Sequence, residues 1–94
     1  MKELPIAWLL EDELANIRQF DLSFEKAKEV LLNTVSLRLP NIAGDSVYVG
    51  LTDDMKHVLF VYCKREDKFR KIILARRASK HERDAFFESI ARFV

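Results

Sequence analysis

The chain is poor in the residues that punctuate, cross-link or cradle. It has two Gly and two Pro in 94 residues. That leaves little room for linkers or turn-rich repeats, and the length fits one domain spanning residues 1–94. There is no Gly-rich phosphate loop and no nucleophile elbow. A single cysteine, Cys63, excludes an internal disulfide and a paired-cysteine redox or zinc motif. Cys63 lies in an apolar strand pattern and reads as a small buried hydrophobe rather than a nucleophile. With two histidines, His57 and His81, the chain lacks a metal-ligand set, so no metal and no other cofactor is expected. No apolar run approaches about 18 residues, which argues against a membrane span. The segment MKELPIAWLLEDEL has too short an apolar part, and no small-residue cleavage site, for a secretory signal. A cytoplasmic location is expected.

Net charge is also nearly absent, at +1, but this balance conceals a segregation. Lys64 to Arg83 carries nine Lys/Arg against three acids, a net of +6. The first 33 residues carry four Lys/Arg against seven acids, a net of −3. A small domain with one basic sector is suited to meet a polyanion there. The alternative for that sector is a solvated charged surface, with Glu82 and Asp84 as counterions.

Periodicity gives an α+β fold: two N-terminal helices, an antiparallel β-meander and a C-terminal helix. Ile6 to Leu9 reads as a short extended piece. Glu11 to Phe20 follows helical spacing, with Leu14, Ile17 and Phe20 assigned to the buried face. Asp21 and Leu22 break it. Ser23 is an N-cap signal for a helix over Phe24 to Leu32 that buries Phe24, Ala27, Val30 and Leu31. A loop from Asn33 to Asp45 holds Pro40 and Gly44, with Val35 to Leu39 extended. The period then changes from 3.6 to 2. Strands are expected at Ser46 to Thr52, His57 to Lys64 and Phe69 to Arg77, joined by turns at Asp53 to Lys56 and Arg65 to Lys68. Ser79-Lys80-His81-Glu82 matches a capping box. A helix from about Lys80 to Arg92 follows, with Phe86, Phe87, Ile90, Ala91 and Val94 as its apolar stripe.

Arg76 and Arg77 adjoin the start of that helix and, as strand neighbours, point to opposite faces. Lys80 occupies the first helical turn, where free N–H groups already attract anions and a cation does not help the helix. Arg76, Arg77, Lys80 and Arg83 are thus candidates for a phosphate-binding patch, and His81 is a candidate acid or base for RNA cleavage. His81 also reads as an ordinary surface residue. His57, beside a turn, reads as structural or exposed.

The segment VLFVYCKREDKFRKIILARRASKHERDAFFE resembles the C-terminal half of BrnT-type toxins. Their strand of the type R-I-I-S-A-R-x-A, followed by T/S-x-x-E-R, is matched by Ile72 to Ser79 and by Glu82-Arg83. Trp8, Asn16, Ile17, Arg18, Ser23, Phe24, Glu25 and Ala27 fit the N-terminal pattern more loosely. The resemblance implies a RelE-like fold and the toxin of a type II toxin–antitoxin system, a metal-independent endoribonuclease acting on RNA. It also implies a small BrnA-like antitoxin partner. Combined with the reading of the basic sector, the expected site has Arg76, Arg77 and His81 in catalysis, with Lys64, Arg65, Lys80 and Arg83 on RNA phosphates. The chain departs from the pattern at Leu9, Asp12 and Gln19-Phe20-Asp21, where the family carries Asp, Lys and Lys-His-Gly. Those losses leave two alternatives open: a catalytically degenerate partner-binding module, or a nucleic-acid-binding protein without chemistry. An exposed strand edge could also join two copies in a homodimer.

Overall fold

The computed structural model describes residues 5–33, 35–39 and 45–91. The chain runs β1 (Ile6–Ala7), α1 (Leu10–Phe20), α2 (Phe24–Leu32), β2 (Ser36–Leu39), β3 (Ser46–Leu51), β4 (Val58–Arg65), β5 (Arg70–Arg77) and α3 (Lys80–Ala91). The expected meander, β3-β4-β5, is the centre of a five-stranded sheet of order β1-β5-β4-β3-β2. β2 adds an antiparallel edge and β1 a short parallel one. Pro40, Gly44, Arg92 and Val94 lie outside the described residues. No described helix is long and apolar enough to cross a membrane.

Alternation along the strands builds a core on each face. Leu59, Val61 and Cys63 of β4, with Ile72 and Ala75 of β5, meet Phe24, Ala27, Val30 and Leu31 of α2. These four α2 residues are the face that the sequence assigns inward. Gly50 of β3 lets α2 approach: a Cβ there would lie 3.0 Å from Val30 Cγ1 and 3.1 Å from the Ser36 Cβ. On the other face, Phe86 of α3 is fully buried against Val49 and Val58. Ile90 packs at the margin, whereas Phe87 and Ala91 are exposed, so the apolar stripe of α3 is narrower than its sequence suggests.

Both cap signals are realised. The Ser23 hydroxyl accepts from Lys26 N–H at 3.4 Å. The Glu82 carboxylate accepts from Ser79 N–H at 2.8 Å, and the Ser79 hydroxyl accepts from Glu82 N–H at 3.2 Å.

α1 overturns its expectation. Leu14 and Ile17 face solvent, and Asn16 is the buried residue of the helix. The cause is the edge of β5. β1 pairs with Arg70 and Lys71 and ends there. Further along, Ala75 would leave a buried N–H and C=O without a partner strand, a costly omission. The Asn16 amide supplies both partners: Nδ2 donates to Ala75 C=O at 2.9 Å, and Oδ1 accepts from Ala75 N–H at 3.0 Å. Nδ2 also donates to Leu22 C=O at 2.9 Å, which fixes the α1–α2 junction. Glu13 reinforces that junction by accepting from Phe24 N–H at 2.9 Å and Trp8 Nε1 at 3.3 Å.

Asn16→Ala removes three buried hydrogen bonds and should lower unfolding stability by roughly 2–4 kcal/mol in urea titration. Asn16→Asp keeps the shape but cannot donate to either carbonyl, and should lose at least as much at neutral pH.

Candidate functional site

The basic sector divides in two when folded. Lys64 and Arg65 sit at one end of β4, where they face Lys71 and Arg70 across the ladder. Arg76, Arg77, Lys80, His81 and Arg83 gather at the opposite end, about 20 Å away at strand rise. Arg70, counted in the basic sector, is buried, with its guanidinium 6.0 Å from the Tyr48 ring centroid. Lys71 pairs with Glu66 at 3.2 Å, and Lys80 with Asp84 at 2.9 Å. Cys63 is buried, and burial pushes its thiol up to about 11, which keeps it protonated and unreactive.

The adjacent arginines have separate environments. Arg76 pairs with Phe60 in the ladder and lies 4.0 Å over its ring on the α3 face. Its guanidinium makes two parallel hydrogen bonds to Glu82, at 2.9 and 3.0 Å, and donates to Arg77 C=O at 3.2 Å. This fork holds the Glu82 carboxyl below the usual range, with Ser79 N–H helping. Arg76 thereby clamps β5 to the capping box of α3. Arg77 is exposed and makes no ion pair among the described residues.

Arg77 and His57 line two grooves that meet at the end of the sheet. The first, about 260 Å³, brings them together with Lys56 and Arg83, and with the apolar side chains of Met55 and Phe87. No carboxylate lines it among the described residues. The second, about 390 Å³, runs toward α2 and balances Lys26 against Asp21 and Asp54. Lys26 lies 3.8 Å from Asp54 there and 3.4 Å from Glu29. The first groove is therefore the anion-facing one. Arg77 and Arg83 are the sequence candidates that the fold brings together in it. His81, in the first turn of α3, and Lys80 do not line it.

His57 and Lys56 enter the site through a turn. Thr52 N–H donates to His57 C=O at 3.0 Å, and Met55 N–H donates to Thr52 C=O at 2.9 Å. Asp54 accepts from the Thr52 hydroxyl and from Lys56 N–H, and the Thr52 bond is the main reason that its carboxyl is held low. Met55 has φ of 60°, a left-handed conformation that is strained for a side chain of this size. It is 73% exposed at the rim of the groove. His57 is not conspicuous in the sequence. Its place in the turn before β4, opposite the end of β5, is the signal that could have found it.

No protein-family model matches the chain, and no curated protein does. Among solved structures it is similar to the Brucella abortus ribonuclease toxin BrnT, with a TM-score of 0.66. The match has 20% identity and covers 82% of this chain and 99% of that one. The chain thus has the BrnT fold, in divergent sequence.

Because the Arg76 fork lowers the Glu82 pKa in the folded state, its stabilisation is present above the ordinary carboxylate range and lost as pH falls through the folded value. Glu82→Gln should destabilise the protein by about 1–2 kcal/mol at pH 7. The gap between variant and wild type should narrow as pH falls below the ordinary carboxylate range and close once the folded-state carboxyl is protonated, as read by thermal unfolding across an acid pH series.

Proposed function

We propose that this protein is the toxin of a type II toxin–antitoxin pair: a metal-independent endoribonuclease in the cytoplasm, held in check by a small antitoxin. One observation carries the reading: Lys56, Arg77 and Arg83 line one groove with a single imidazole, His57, and no carboxylate lines it among the described residues. Asp54 and Asp84 offset part of the charge of Lys56 and Arg83, Arg77 has no ion pair among the described residues, and a phosphate in the groove would offset the rest. The BrnT fold supports the same assignment.

The chemistry follows from the groups present. The 2′-oxygen of the RNA attacks the adjacent phosphorus, and the bond from phosphorus to the 5′-oxygen breaks. The products are a 2′,3′-cyclic phosphate and a free 5′-hydroxyl. His57 accepts the 2′-OH proton. Arg77 and Arg83 stabilise the extra negative charge on the pentacoordinate phosphorus. The departing 5′-oxygen takes its proton from solvent, to which the groove is open. Phe87 and Met55 offer an apolar surface on which an unpaired base can lie. Arg76, engaged by Glu82 and Phe60, supports the site through α3 rather than touching RNA.

Cleavage of single-stranded RNA by purified protein in the presence of EDTA tests this. His57→Ala and Arg77→Ala should each slow cleavage about 100-fold or more while leaving unfolding curves unchanged. Arg76→Ala should chiefly lower stability. RNA affinity should fall steeply with salt. Salt-sensitive binding with intact RNA would instead mark a nucleic-acid-binding protein. Neither binding nor cleavage would leave the partner-binding module.

A further inference from the structure

The reversed orientation of α1 exposes a continuous apolar line. Leu10, Leu14 and Ile17 are 66%, 49% and 38% exposed. Their spacing of four and then three residues places them on one face of the helix, two turns long. Such a stripe on a small protein marks a contact surface. Glu11 and Arg18, one position after Leu10 and Ile17, flank it on a common side seven residues apart. Both are exposed, and neither makes an ion pair among the described residues.

We propose that this face joins two copies of the chain through an antiparallel α1–α1 contact. The charge pattern selects the occupant, because it is complementary to itself. A two-fold axis through Leu14 sets each Leu14 against its own counterpart and each Leu10 against Ile17 of the other copy. The same axis keeps the charged flank on one side and reverses its direction. Glu11 of one copy then meets Arg18 of the other, and the pair forms twice. Apolar residues in the seam with opposite charges beside them is the arrangement that fixes orientation in paired helices. The helix is about 16 Å long at 1.5 Å per residue, so the contact is smaller than a standard interface of about 800 Å² per partner. The dimer is accordingly concentration-dependent. It does not rest on the ribonuclease reading, since none of its charged or axial residues lines the anion-facing groove.

Sedimentation velocity of the full chain from about 5 to 500 µM measures it, a range suited to a modest interface. Wild type should shift from monomer to dimer across that range. Leu14→Glu places like charges together on the axis and should leave monomer throughout. Glu11→Arg and Arg18→Glu should each raise the dimer Kd about tenfold, through two repelling contacts. Mixing those two variants should restore dimer, because every Arg then meets a Glu. Circular dichroism of each variant separates loss of contact from loss of fold. Wild type that stays monomeric at 500 µM, a dimer indifferent to Leu14→Glu, or no rescue on mixing would each overturn the proposal.

Discussion

The architecture turns on the side-chain amide of Asn16. A sheet of this order leaves β5 covered by β1 at Arg70 and Lys71 but uncovered at Ala75. Asn16 completes that edge with the same donor and acceptor pair that a strand would present. The helix is thus docked by hydrogen bonds rather than by apolar burial. Three consequences follow. The β5 edge is blocked at Ala75 against pairing with another chain, which disfavours strand addition there as a route to a dimer. The apolar residues of α1 turn outward. The α1–α2 junction is held through Leu22, which brings Ser23 and Lys26 to the end of the sheet where Arg77 emerges.

At that end the strand pleat sorts chemically identical neighbours into different tasks. Arg76 and Arg77 differ by one position, so they project to opposite faces. One face presents Phe60 and the capping carboxylate of Glu82, which engage the guanidinium by a cation–π contact and two hydrogen bonds. The other leads Arg77 to the end of the sheet, where it lines both the groove shared with α3 and the groove that runs toward α2, each beside His57. A run of basic residues on one stretch of sequence is therefore not one patch. Ion pairs engage Lys71, Arg76 and Lys80, burial takes in Arg70, and strand length separates Lys64, Arg65 and the turn residue Lys68 from Arg77 and Arg83.

Features that depend on near neighbours were legible in the sequence. The two serine caps, the buried face of α2 and the change of period into the β3-β4-β5 meander need only local chemistry, and they stand where the pattern puts them. The orientation of α1 was not legible. Helical periodicity identifies an apolar face but assumes that apolar means inward, and here an edge carbonyl and amide 59 residues away decide the matter. The site was half legible for a related reason. Arg77 and Arg83 stand out as surplus charge. His57 and Lys56 acquire meaning only when β4 and β5 pair and set the turn ahead of β4 beside the end of β5.

The groove concentrates features that local stability does not explain. Met55 sits in the left-handed region where glycine or asparagine would be at ease, and exposes its side chain. Phe87 is half-exposed on a helix whose neighbouring Phe86 is fully buried. Lys56, Arg77 and Arg83 share one groove that no carboxylate lines among the described residues. Each is unfavourable alone, and all three occur around His57. The surroundings are built to tolerate them: Asp54 braces the turn from both sides, and Glu82 anchors the start of α3 through Arg76. A strained turn, excess positive charge and exposed apolar side chains on one rim, set on a braced frame, suit a ligand-binding surface. The proposed single-stranded RNA would offset the charge and cover the apolar side chains together, which a small inorganic anion would not do.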